Sequence, residues 1–224
     1  MKGPINRRSM RLARNLTLVL LPSLLAAIYF GFFAADQYVS ESRFVVRDAA
    51  DQPASNGLAQ LAAQARESSA ALAVKDYLQS RPAMAELRRK IDLPQVWRGG
   101  RDPVGGLASN ASDEDLYRRY HDRVTVVVNG NSGVVTLRAQ TFASADGLHI
   151  VRQLLAQASQ TLAQLSEPGG HLTMIVVVQP NLPDRPAEPQ RLRIILTVFG
   201  FNLILVAMAW LLGTGLREHA AKGR

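Results

Sequence analysis

The 224-residue sequence contains no cysteine. A chain without thiols forms no disulfide, offers no thiolate to a metal and carries no cysteine nucleophile, so its folded part rests on packing and hydrogen bonding. Histidine is scarce as well. His121, His149, His171 and His219 are far apart, and no two have the spacing that sets a pair of metal ligands on one helix. No phosphate-loop or dinucleotide fingerprint occurs, and no serine sits in a nucleophile-elbow context. The run from Asn129 to Gly133 has no following lysine and leads into a β-rich segment, which makes it a hairpin turn rather than an anion cradle. No residue is assigned to catalysis, to a cofactor or to a metal.

Acidic side chains are the minority, 18 against 26 basic ones, for a net charge of +8 and a pI near 10.4. Nucleic-acid binding is one reading of such a balance, and the distribution argues against it. Residues 1–35 hold Lys2, Arg7, Arg8, Arg11 and Arg14 and no acid; residues 193–224 hold four basic groups against Glu218; residues 36–192 hold 17 of each sign. The positive excess flanks two apolar segments. That pattern keeps both ends in the cytoplasm and places residues 36–192 across the membrane.

The first apolar segment, residues 16–35, follows a basic tail at 1–15. A secretory signal also begins this way, but about 20 apolar residues exceed its usual 7–15, and Phe33 stands where a cleavage site takes a small residue. An uncleaved membrane helix is predicted. The second segment covers 194–213 and is followed by a tail at 214–224. Its run from Ile194 to Leu212 gives roughly 28 Å of helix against a hydrocarbon core of ~30 Å. Asn202 lies near its middle, where an amide is costly against lipid. Either it hydrogen-bonds to the first span or to a neighbouring subunit, or it is a polar residue tolerated in a strongly apolar helix. Just upstream, within 180–189, Pro180, Pro183, Pro186 and Pro189 recur every third residue. The polyproline II helix has three residues per turn, so this spacing predicts a stiff strut with the prolines on one face.

Between the spans, residues 44–47 read as a short strand that stops at the polar stretch from Asp48 to Asn56. Residues 57–80 read as one broken helix or two short ones around Ser68 and Ser69, with Leu58, Leu61, Ala62 and Ala65, then Leu72, Ala73 and Tyr77, at helical spacing. Pro82 opens a further helix. Residues 94–112 form an irregular connection in which Trp97 is an apolar anchor or a binding residue. Ser112 caps a helix that carries Asp113, Glu114 and Asp115 in its first turn. Two β-rich runs, 124–128 and 134–139, make a hairpin. A stripe from Leu148 through Leu154 and Leu155 to Leu165 marks a helix over 145–166, and 172–179 reads as a buried-type strand. This order predicts an α+β fold: a mixed β-sheet with helices on one face, its first and last strands joined to the two membrane helices.

Three stretches carry a family resemblance. YVSESRFVVR at 38–47, with Ser40, Glu41, Ser42, Arg43 and Phe44, is similar to the motif that follows the first span of the inner-membrane polysaccharide co-polymerases, in particular the capsule polysaccharide export proteins related to the chain-length determinants. The helix, hairpin and helix at 113–166 and the proline-rich VVVQPNLPDRPAEPQR at 176–191 resemble the same family. The resemblance implies a non-enzymatic bacterial inner-membrane protein with a periplasmic domain and no cofactor. It implies a homo-oligomer in membrane lipid that works on a polysaccharide with an ABC transporter or a polymerase, beside an outer-membrane export channel. Export and chain-length control are both open. In typical relatives the helix matching 145–166 continues into a long coiled-coil arm, whereas Pro168-Gly169-Gly170 closes it here at about 33 Å. A periplasmic adaptor of a protein-secretion system and a two-span sensor are the alternatives from other classes. Polysaccharide contacts are not fixed by the sequence: Arg43, Arg47, Arg138 and Trp97 are candidates, with structural ion pairing the other role for the arginines.

Overall fold

The computed structural model of the protein describes residues 20–48, 57–98, 102, 105–130, 132–166 and 172–222. The expected basic tail at 1–15, the first four residues of the first span, His171 and the Pro168-Gly169-Gly170 stop lie outside them. The chain divides into two compact units, Ala35–Ala187 and Met1–Ala34 with Glu188–Arg224.

In the larger unit β1 (Tyr38–Asp48) is followed by α2 (Gly57–Leu78), α3 (Arg81–Lys90), the single turn α4 (Leu93–Val96), α5 (Asp113–Arg123), β2 (Val124–Val128), β3 (Val134–Thr141), α6 (Ser144–Leu165) and β4 (Leu172–Val178). The strand order is β2-β3-β1-β4, and every pairing is antiparallel. The expected mixed sheet is therefore corrected. The β3-α6-β4 crossover sets β3 and β4 parallel, but β1 is inserted between them and runs against both, a split β-α-β unit. β1 is also longer than the strand predicted at 44–47, because Tyr38 to Ser42 pair with β3.

Alternation builds the core. Phe44 and Val46 of β1, Val124 and Val126 of β2, and Val135, Leu137 and Ala139 of β3 turn to one face, where helices cover them. α6 lays Ile150, Val151, Leu154, Leu155, Ala158 and Leu162 on that face. The predicted stripe is found except at its ends, since Leu148 is half-buried and Leu165 exposed. α2 is one continuous helix through Ser68 and Ser69 and buries Ala70, Ala71, Val74 and Leu78, whereas Leu61 and Leu72 are exposed. Packing chose a different face from the one the leucines suggested. β4 is an edge strand with Ile175 and Val177 exposed, not the buried-type strand expected from its run of apolar residues.

The local signals hold. Ser112 and Asp115 form a reciprocal capping box at the start of α5. The hairpin turn has Gly133 at φ +66°, a left-handed conformation that favours glycine. At Gly147 the first turn of α6 lies so close to the sheet that a Cβ there would meet Thr141 Oγ1 at 3.0 Å and Ser40 Cβ at 3.3 Å. Gly147→Val is accordingly expected to lower stability by about 1–3 kcal/mol through overpacking. A lower urea midpoint with an unchanged slope is the readout, and a wild-type midpoint would show that the helix shifts at no cost.

The smaller unit holds α1 (Leu20–Phe33), whose last turn, Tyr29–Phe33, is π-helical, and α7 (Arg191–Lys222). Arg191 donates to the Gly31 carbonyl at 3.2 Å and to the Ala34 carbonyl at 3.4 Å, serving acceptors left open at the end of α1. Among the described residues one helix is long and apolar enough to cross a membrane, over Arg191–Met208, with a mean hydropathy of 1.8. Leu20–Phe33 is apolar but shorter. Helical backbone continues past residue 213 to Lys222.

Candidate functional site

Of the sequence features singled out, the stretch after the first apolar segment and the proline-rich stretch prove to be one structure. β1 pairs with β4 only from Arg43 onward, with a bulge between Arg43 and Phe44. The preceding residues of β1 are flanked instead by the chain that leaves β4. Prolines have no backbone N–H, so this chain cannot continue the ladder, and side chains replace it. The buried Ser42 hydroxyl donates to the Val178 carbonyl and the buried Ser40 hydroxyl to the Asn181 carbonyl, both at 2.7 Å. The Glu41 amide donates to Asn181 Oδ1 at 2.7 Å, and the Asn181 amide returns a bond to the Glu41 carbonyl at 3.3 Å. Further on, the Ala187 amide donates to the Gln37 carbonyl at 2.8 Å. Ser40, Glu41 and Ser42 thus serve as clamps for the proline-rich chain, while Phe44 is core.

This chain bends at Asp184 and Arg185. Pro180 and Pro183 precede the bend and Pro186 follows it.

Next to the clamp lies a partly buried polar network. Gln37 Oε1 accepts from Gln140 Nε2 at 2.6 Å and from Arg123 Nη1. Arg119 donates to the carbonyls of Gly105 and Gly106 at 2.9 and 3.1 Å. Asp102, almost fully buried, accepts from the amides of Ala35 at 3.2 Å and Gly105 at 2.7 Å. The connection read as irregular is therefore tied to the base of β1.

On the open face of the sheet, away from the helices that cover the core, Glu41 accepts from Arg43 Nε at 2.6 Å and from Arg138 Nε at 2.7 Å. Burial alone would raise the Glu41 pKa, but the hydrogen bonds and positive charges of Arg138 and Arg43 outweigh it and hold the carboxyl below its usual range. Arg47 lies farther along the same strand and pairs with Glu67 at 3.0 Å. Trp97, the remaining candidate contact, is fully buried and donates from Nε1 to the Gln140 carbonyl at 3.1 Å. A ligand cannot reach it, so its reading as a binding residue is corrected: the indole is core. Asn202 sits on α7 with intermediate exposure. Among the described residues no group of three or more His, Asp or Glu side chains is placed to hold a metal ion.

Sequence reading missed Asn181, Gln37 and Asp102. Asn181 carried one faint signal, a hydrogen-bonding side chain between two prolines, which have no backbone N–H.

The arrangement defines a class: an antiparallel α+β domain whose first strand is clamped to a proline-rich chain leading on to an apolar helix of membrane length. Known proteins are similar to this chain in sequence. The capsule polysaccharide export inner-membrane protein BexC of Haemophilus influenzae is 34% identical over 155 residues, covering 66% of this chain and 41% of the relative. CtrB of Neisseria meningitidis serogroup A is 32% identical over 155 residues, and KpsE of Escherichia coli 22% over 153, each match covering 66% of this chain and 40% of the relative. Over the matched segment the chain is similar to proteins named for capsule polysaccharide export at the inner membrane. It spans about two fifths of the length of these curated relatives. No family model matches the chain.

Proposed function

We propose that the protein is a non-enzymatic scaffold of the bacterial inner membrane for export of a capsular or other surface polysaccharide. The observation that carries this reading is the similarity to three proteins named for capsule polysaccharide export. The clamp between Ser40–Ser42 and Asn181 supports it, because it lies in the two stretches that suggested the family in the sequence.

In this reading the chain crosses the membrane twice, over 16–35 and 194–213, with both termini cytoplasmic and residues 36–192 periplasmic. The charge distribution supports that topology. The protein works as a homo-oligomer with an ABC transporter or a polymerase and with an outer-membrane export channel, and control of chain length is a second part of its role. The proline-rich segment acts as a tie between β4 and the second span, and Asn202 hydrogen-bonds within the membrane to the first span or to a neighbouring subunit. Deleting the chain from the bacterium that encodes it, and scoring its surface polysaccharide, is the test.

A further inference from the structure

The open face of the sheet holds two arginines in an unusual relation to one carboxylate. Glu41 of β1 and Arg138 of β3 are direct cross-strand partners, and Arg43 is the next residue of β1 on the same face. An arginine facing a carboxylate commonly closes a two-bonded fork on it. Here each guanidinium touches Glu41 through Nε alone, one on each carboxylate oxygen. The terminal nitrogens of both arginines make no hydrogen bond or ion pair to any described residue. The arginine side chains are 49% and 50% exposed and Glu41 only 23%, so the carboxylate lies beneath and the two forks present outward.

The charge is unbalanced. Three ionised groups leave a net charge of +1, and Arg47 farther along β1 is already matched by Glu67. Two guanidiniums held side by side repel each other, and one carboxylate offsets that only in part. A second anion on the outer side would complete the square. The surroundings suit an extended ligand rather than a small ion in a pocket, because the face is open across all four strands. Thr125 pairs with Arg138, Thr136 pairs with Arg43, and the half-exposed Val127 and Val178 extend the second row to both sheet edges.

We infer that Arg43 and Arg138, held by Glu41, form a binding site for the carboxylate or phosphate groups of an acidic polysaccharide passing over the open face of the sheet. This assignment rests on the export reading for the word polysaccharide and on the side-chain geometry for the word acidic.

The test uses the full chain in detergent, a galacturonic-acid oligomer as probe, a neutral maltooligosaccharide as control, and nanodiscs of phosphatidylglycerol or of phosphatidylcholine as lipid arms. The acidic oligomer is expected to bind, the neutral one not. Arg43→Gln with Arg138→Gln is expected to weaken binding about tenfold or more, since two charge-assisted contacts are lost. Both basic tails remain in that variant, so the difference reports the sheet face alone. Arg43→Lys with Arg138→Lys, which keeps the charge and removes the forks, is expected to fall between the two. Unchanged thermal melting of each variant verifies the fold. Equal binding by wild type and the glutamine variant would overturn the assignment, as would no binding by wild type. Loss of phosphatidylglycerol binding without loss of oligomer binding would overturn it in favour of a membrane contact. None of these results depends on an export phenotype, so failure of the site and failure of the export role are separable.

Discussion

Replacing Trp97 by alanine is expected to destabilise the Ala35–Ala187 unit by about 3–5 kcal/mol, the range for deleting a large aromatic side chain from a packed core. The indole is fully buried and meets Tyr120 edge-on at 6.3 Å between ring centres. Its Nε1–H satisfies the Gln140 carbonyl of β3, and its own carbonyl accepts from the Leu107 amide at 2.7 Å. Tyr120 in turn donates its hydroxyl to the Leu78 carbonyl at the end of α2, and burial pushes that hydroxyl well above the ordinary phenol pKa. Alanine would leave a cavity and a carbonyl without its donor, two costs in addition to the lost transfer energy. Trp97→Phe keeps most of the volume and loses the donor, so a penalty of about 1–3 kcal/mol is expected. Urea unfolding of the full chain in detergent, followed by far-ultraviolet circular dichroism, measures both. A Trp97→Ala protein as stable as wild type would show that the indole does not hold the core together.

The second large effect is local. Asn181→Ala removes the acceptor of the Glu41 amide, and combining it with Ser40→Ala removes the bond from that hydroxyl to the backbone carbonyl of residue 181. Each hydrogen bond is worth about 0.5–1.5 kcal/mol net, so the proline-rich chain should detach locally while the sheet stays folded. Amide exchange at Glu41 is expected to accelerate about tenfold or more in the double variant, with exchange in β3 unchanged. Ser42 still holds the Val178 carbonyl, which confines the opening to residues beyond it. If Glu41 exchanged at the wild-type rate, the clamp would be incidental to the attachment of this segment.

What was legible in the sequence was local. The hairpin at 124–141, the Ser112 cap and the register of α6 are each set by residues within a few positions of one another, so spacing reveals them. The sheet order was not legible. Its central strand β1 pairs with β3 about a hundred residues away and with β4 farther still, and nothing near Tyr38 announces either partner. The buried position of Trp97 is a tertiary fact of the same kind, since an indole in a glycine- and proline-rich connection looks the same whether it packs inward or outward. The motif residues Ser40–Phe44 were recognised as a pattern, but their division of labour depends on which strand lies on which side. Serines clamp the proline-rich chain, Phe44 enters the core, and Glu41 gathers two arginines because Arg138 is its cross-strand partner. Asn181 was the least legible, because its role exists only where β4 gives way to prolines.

The export role is tested most directly by fractionating polysaccharide between the cell interior and the surface in a strain from which this chain alone has been deleted, then restored from a plasmid. Polymer is expected still to be made but retained inside, with surface polymer at a small fraction of wild type, and the restored chain is expected to return it to the surface. Surface polysaccharide of wild-type amount and length in the deletion strain would contradict the export role.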